Sequence, residues 1–347
     1  MNLFSSVGEY FALDIGTTAV RVVQLGGSNG SWSLMKFGSA PVDIRISASD
    51  APGDQQKLGE VIMTVVGQSG IRAKNVVLGI PSDKTFSTVI ELPEMPSGEL
   101  ATTIKYQAEQ YIPMSLDEAK IDWALLGKSV NDATKNEILL ASVNSSFSES
   151  RLDLVEGLGF NVVAIEPDSI AMTRALLPPQ SQGAQIIVEI GDFATDVVVV
   201  YGGTPRLIRS LPTGMESFTK ATAQNLNVAH AQAQQFITKF GLLPDKLEGQ
   251  VLRSLQANVD QFAAEIEKSV KFFKTKYPTV EISDMVVSNY GVTIPGLSAY
   301  LAEKTALKVA AGNPWQRVKV SSNDQVALQG VSSQFAVAVG LAQRGAE

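Results

Sequence analysis

Two short acidic turns carry most of the chemistry this sequence can offer. The first is Asp14-Ile15-Gly16-Thr17-Thr18, set between apolar strand-like stretches at 10–13 and 19–25. A carboxylate at the end of a buried strand is costly to desolvate unless a metal ion or hydrogen-bond donors compensate it. The glycine lets backbone N–H groups approach an anion, and the two threonines add hydroxyl donors. Aspartate for a hydrated Mg2+ and Gly-Thr-Thr for phosphate oxygens make a coherent nucleotide-phosphate turn. Taken alone, the pattern is also what an ordinary hairpin with a polar turn would show.

The second turn repeats the design 175 positions later: Glu189-Ile190-Gly191 ends a strand, and Thr195-Asp196 opens the next, within 185–209. Both copies run on through a glycine turn into a third strand, at 26–30 leading to 32–40 in the first and at Gly202-Gly203 in the second. Two such meanders indicate a duplicated domain that clamps one ligand between its halves.

The bulk properties narrow the remaining classes. A chain of 347 residues with 45% hydrophobic and 18% charged residues has the composition of an ordinary soluble globular protein of about two domains. A net charge of −7 without a basic run argues against nucleic acid. With no cysteine, disulfides, zinc ribbons and thiol nucleophiles are excluded. The single histidine, His230, lies in a helix-like segment and suits a solvated face better than a catalytic triad. No signal peptide and no spanning apolar run are evident, so a cytoplasmic location is expected.

These turns need elements to hold them. A helix is expected over 57–67 from Leu58, Val61, Ile62 and Val65, after a polar stretch at 41–56, and a buried strand over 75–80. That crossover favours an α/β class. Residues 85–161 have the character of an insertion: a strand at 86–92, a helix at 97–111 with Ser97 as N-cap, strands at 120–126 and 137–143, a helix at 146–158 and a strand at 160–165. Within it, DWALLGKS (122–129) fails as a phosphate-binding P-loop because Asp122 stands where the first glycine is required. Glu166-Pro167-Asp168 opens a helix to 176, and 178–183 is a linker. Helices are expected over 217–240, divided near Asn227, and over 245–277, the latter with a core stripe at Val259, Phe262, Ile266, Val270, Phe273 and Tyr277. A strand at 284–288, a helix from Leu297 through Lys304, and an apolar helix at 335–341 stopping at Gly345 complete the chain.

In this order the segments resemble the actin-like ATPases, the superfamily of actin, sugar kinases, Hsp70 chaperones and FtsA. LPEMPSGEL, QYIP, GNPW and AVGLAQRG are similar to the PilM family of type IV pilus assembly proteins. The resemblance implies a duplicated actin-like (ribonuclease H-like) α/β fold. Its subdomains would be a first core (1–85, 162–182, 325–347), an inserted partner-binding α+β unit (86–161), a second core (183–216, 280–324) and a helical unit (217–279). It implies ATP and Mg2+ in the central cleft. Asp14, Gly16, Thr17 and Thr18 would form the first phosphate loop, and Gly191, Asp192, Thr195 and Asp196 the second. Glu265, Lys268 and Gly291 would lie around the nucleoside, with Asp14 and Glu189 as the metal-binding and catalytic candidates. Two departures are Glu189, where an aspartate is usual, and Asn289-Tyr290 before Gly291, where glycines are usual. A slow ATPase at most is expected, with binding the functional event.

By the same resemblance, the partner is the cytoplasmic N-terminal peptide of a PilN-like bitopic inner-membrane protein. The chain would link it to the pilus motor while remaining peripheral to the membrane, with room for a homo-oligomer. The alternatives on this fold are a small-molecule kinase, for which no polar acceptor pocket is evident, and an FtsA-like filament, for which the expected terminal amphipathic helix is not seen.

Overall fold

The computed structural model describes residues 9–28, 31–178 and 183–344. The glycine turn at 29–30, most of the expected linker and the stop at Gly345 lie outside the described residues. In chain order the strands are β1 (Tyr10–Ile15), β2 (Ala19–Ser28), β3 (Ser31–Pro41), β4 (Asn75–Ile80), β5 (Thr85–Pro93), β6 (Ala119–Lys128) and β7 (Lys135–Asn144). They continue as β8 (Asn161–Pro167), β9 (Ala184–Ile190), β10 (Thr195–Tyr201), β11 (Thr204–Leu211), β12 (Ile282–Asn289), β13 (Lys308–Ala311) and β14 (Val318–Lys319).

Two sheets share one topology. The first is ordered β14-β3-β2-β1-β4-β8 and the second β11-β10-β9-β12-β13. In each, an antiparallel meander adjoins a parallel strand: β1 pairs with β2 and β4, and β9 with β10 and β12. The duplicated α/β fold expected from the repeats is therefore present. Central strands read as near-continuous apolar runs because helices cover both faces.

Alternation assigns those faces. From β1, Phe11, Leu13 and Ile15 pack with Leu58 and Ile62 of the helix Pro52–Ser69, whereas Ala12 packs with Ala171, Ala338 and Val339 on the other side. In the second sheet Val188, Ile190 and Val197 face the helices Met215–Leu226 and Gln250–Lys276, while Ile187, Val198 and Val200 meet Met172, Leu176 and Ala336. The helices Asp168–Leu176 and Ala336–Ala342 thus lie between the two halves and pack against both sheets. They cross closely: a Cβ on Gly340 would stand 1.8 Å from the Ala171 carbonyl oxygen.

The insertion forms a third sheet, β5-β7-β6, over which the helix Ser97–Tyr111 packs Leu100, Ile104 and Ala108 against Ile90, Ile138 and Leu140. Val155, in the helix Ser145–Gly157 of that same stretch, joins the core of the first half. Trp315 and Val318 also pack in the first half, ahead of the expected return at 325.

Several boundaries differ from expectation. The polar stretch at 41–56 contains a one-turn helix (Ile44–Ser47) and the start of the next, where Pro52 sits at the first helical position, for which its ring is preorganised. Pro96, not Ser97, occupies the N-cap position of its helix. Asp14 lies within β1, paired with Arg21 of β2, rather than in the turn. The helix expected from 245 begins at Gln250, after a short turn at Leu247–Gly249. The break near Asn227 is present, that residue adopting φ 51° between two helices.

Candidate functional site

The two acidic turns are built alike. In the first, the Gly16 amide donates to the Ala19 carbonyl at 3.0 Å; in the second, the Gly191 amide donates to the Ala194 carbonyl at 2.9 Å. Behind each glycine the ladder places Asp14 opposite Arg21 and Glu189 opposite Asp196. The outer side of each turn is anchored. Ser47 donates its hydroxyl to the Thr17 carbonyl at 2.6 Å, and Thr195 donates to the Thr213 carbonyl at 2.6 Å. The amides of Met215 and Glu216, at the start of their helix, donate to the carbonyls of Gly191 and Asp192 at 3.0 and 2.8 Å. Gly214 permits this seating, since a Cβ there would stand 2.6 Å from the Asp192 carbonyl oxygen.

Between the turns lies a cavity of about 280 Å³. Its wall carries the carboxylates of Asp14, Asp50, Asp83, Asp168, Glu189, Asp192 and Asp196, against the cations Arg21, Lys84 and Arg151. Burial raises the Asp14 carboxyl, opposed by the Arg21 guanidinium 3.7 Å away. In the second half the equivalent ladder pair is two acids, so Glu189 has a like charge beside it. Burial first, and Asp196 next, push Glu189 up to about 7, although Asn289 Nδ2 donates to its Oε1 at 2.7 Å. Asp196 is raised as well, chiefly by burial.

Asp168 was not singled out from the sequence, yet it is a buried carboxyl facing the other acids of this cavity. Burial, then Asp14, Asp196, Glu189 and Asp83, push it well above the usual range, and its buried Oδ1 has no hydrogen-bond partner. The available signal was its place immediately after Pro167, at the start of a helix leaving a parallel strand.

The expected site residues separate into two groups. Asp14, Gly16, Thr17, Glu189, Gly191, Asp192 and Asp196 line the cavity together. Thr18 turns its hydroxyl to Asp192 Oδ2 at 2.6 Å. Thr195 is buried on the Thr213 carbonyl. Glu265 and Lys268 pair with each other at 2.5 Å on the helix Gln250–Lys276, with Arg209 3.7 Å from Glu265, and they do not line this cavity. Gly291 packs on Val287 and Ile190, where a Cβ would lie 3.2 Å from the former. Tyr290 donates its hydroxyl to Asp192 Oδ1 at 3.0 Å, and burial followed by Asp192 pushes its pKa up to about 12.

Among the described residues no group of three or more acids or histidines is arranged to hold a bare metal ion. The donor set suits a hydrated divalent cation instead, because Mg2+ keeps several waters and needs only one or two carboxylates. Such a cation would also relieve the charge that burial penalises at Asp14, Asp168 and Glu189. Arg21 lines the cavity with its guanidinium 3.7 Å from Asp14, and the hydroxyls of Thr18 and Tyr290 are engaged by Asp192.

A second cavity, of about 270 Å³, lies where the insertion meets the first half. Ala124 of β6 and Leu139 of β7, a cross-strand pair, line it together with Ile165 of β8 and Ile170, whereas Ile121 and Trp123 alternate to the other face of β6 and pack in the insertion's own core. Both β6 and β8 end their sheets, so two strand edges border this groove.

A model of the family described as "Type IV pilus assembly protein PilM" matches residues 12–346. Among solved structures, the "PilM-PilN type IV pilus biogenesis complex" is 22% identical, covers 98% of this chain and 99% of its own, and superposes with a TM-score of 0.81. The ethanolamine utilization protein EutJ from Carboxydothermus hydrogenoformans is 13% identical over 96% of this chain and 89% of its own, with a TM-score of 0.56. MreB 5 of Spiroplasma citri, bound to AMPPNP, is 12% identical over 97% of this chain and 95% of its own, with a TM-score of 0.55. The fold is that of the actin-like ATPases.

Proposed function

The chain belongs to the PilM family of type IV pilus assembly proteins, and from that premise we propose that it is a cytoplasmic docking scaffold of the pilus platform. It takes the cytoplasmic N-terminal peptide of a PilN-like membrane protein and links it to the pilus motor. The observation that carries this reading is the apolar groove between the edges of β6 and β8. An extended peptide gains main-chain hydrogen bonds at a free strand edge, and Ala124, Leu139, Ile165 and Ile170 offer its side chains an apolar wall. Among the described residues no helix is long and apolar enough to cross a membrane, which suits attachment through a protein partner.

The cleft between the halves is proposed to take MgATP. Asp14 would hold the hydrated cation, with Asp168 and Glu189 near it, and Arg21 would meet phosphate. Bound nucleotide would supply a charged bridge between the two halves. Glu189, ordinarily an aspartate by the resemblance, reaches about 1.5 Å further, and errors near 1 Å in orientation can cost about a hundredfold in rate. Binding is therefore the functional event.

The docking role is tested by titrating the purified chain with the synthetic N-terminal peptide of the PilN-like protein encoded beside it. Ala124→Glu places a charge on an exposed groove residue of β6 and should abolish binding without changing the thermal transition. Unaltered binding by that variant, or no binding by the folded wild type, refutes the assignment.

A further inference from the structure

Asp192 has no counterpart in the first turn, where Thr17 occupies the equivalent position at the 175-residue offset. Its backbone is fixed: the Glu216 amide holds its carbonyl at 2.8 Å, and the neighbouring Gly191 carbonyl receives Met215 at 3.0 Å. Its side chain reaches out of the second turn and spends both oxygens on hydroxyls. Thr18 of the first half donates to Oδ2 at 2.6 Å, and Tyr290, following β12, donates to Oδ1 at 3.0 Å. Hydroxyl-to-carboxylate bonds of this kind are charge-assisted and stronger than neutral ones. The contact spans the cleft, since Thr18 and Asp192 lie in turns of different sheets.

Thr18 is also one of the first turn's donors to an anion. The anion it now holds is the protein's own. We propose that Asp192 is an internal stand-in for a ligand's phosphate: it latches the two halves together in the ligand-free protein, and an incoming phosphate must displace it from Thr18 and Tyr290. The acidic wall around the cavity adds to this barrier for an anion arriving without its cation. The competition rests on the nucleotide reading of the cleft; the latch does not.

The absence of cysteine allows the latch to be read directly. Gln56→Cys and Gln224→Cys place spin labels on exposed helix positions of the first and second halves. Inter-label distances are measured in the full chain without ligand, in the parent and with Asp192→Ala or Tyr290→Phe added. Asp192→Ala should lengthen and broaden the distribution, with Tyr290→Phe, which keeps the ring, intermediate. MgATP, followed by calorimetry, should bind Asp192→Ala about tenfold more tightly or better, since juxtaposed like charges cost several kcal/mol. An unchanged distribution in Asp192→Ala overturns the latch whatever the nucleotide result. A broadened distribution with weaker MgATP binding overturns the competition. A broadened distribution with no MgATP binding by either protein upholds the latch and removes the nucleotide from the cleft.

Discussion

Replacing Glu189 by glutamine tests the electrostatics of the cleft in isolation. Glutamine keeps the carbonyl oxygen that accepts from Asn289 Nδ2 at 2.7 Å and removes only the charge. In the folded protein Glu189 holds its proton up to about 7, against an ordinary value of 4.5. Because the folded state binds that proton more tightly than the unfolded chain, this group's contribution to stability is fully present below about 4.5 and is lost as pH rises towards about 7. At about 1.4 kcal/mol per pH unit, the loss is on the order of 3 kcal/mol. Relaxation of the surrounding acids, Asp14, Asp168 and Asp196, makes that an upper figure. Glu189→Gln should therefore match wild type near pH 4.5 and exceed it by up to about 3 kcal/mol at pH 8. Urea unfolding across that range, in chelator so that no cation neutralises the cluster, gives the difference. A difference that does not change with pH would show that Glu189 ionises freely in the folded state and refute the reasoning.

Asp14→Ala should abolish the Mg-dependent part of any thermal shift by MgATP while leaving the unliganded transition intact; ligand binding only the folded state adds about 2.7 kcal/mol at a hundredfold excess over Kd. Steady-state ATP turnover should stay below about 1 s⁻¹, the low end for ordinary enzymes, and a faster phosphate-release rate would overturn the binding role. Glu137 of the insertion and Arg206 of the second half form a buried ion pair at 3.4 Å. Arg206→Met should destabilise the protein by about 3–5 kcal/mol, and adding Glu137→Gln should recover most of that; additive losses in chemical denaturation would exclude the pair as a unit. Gly214→Ala should weaken MgATP binding in calorimetry by displacing the second turn, and unaltered affinity would show that the Met215 and Glu216 amides do not position it.

Local pattern carried the fold far. The repeated acidic-Ile-Gly turns announced two sheets built round like meanders, and the stripe from Val259 to Tyr277 marked one long helix against the second of them. Where the reading slipped, a local signal was outweighed by a neighbour's geometry. Proline at 52 started a helix inside a stretch that composition marks as loop, and Asp14 was drawn into β1 by its ladder with Arg21. The site was legible only as far as its turns. Arg21 and Gly214 act through positions that become adjacent on folding, and nothing in their own surroundings sets them apart, while Asp168 was marked only by its place after Pro167 at a helix start. The matched positions Glu265 and Lys268 make an ion pair with each other on the long helix, a contact that their spacing of three residues already allows.

The two halves match in chain path, yet at one matched position they carry opposite signs. The offset that lays Glu189 on Asp14 lays Asp196 on Arg21. A cleft formed by two equivalent halves would accept an elongated guest in either direction with equal favour. This exchange of a guanidinium for a carboxylate gives the cleft a head and a tail. A guest with its negative end towards β2 and its cation towards β10 meets attraction at both ends, and the reversed guest meets repulsion at both. Side-chain charge alone, here and at Asp192 opposite Thr17, thus makes the two ends of a duplicated scaffold unlike, leaving the backbone of the two halves free to remain alike.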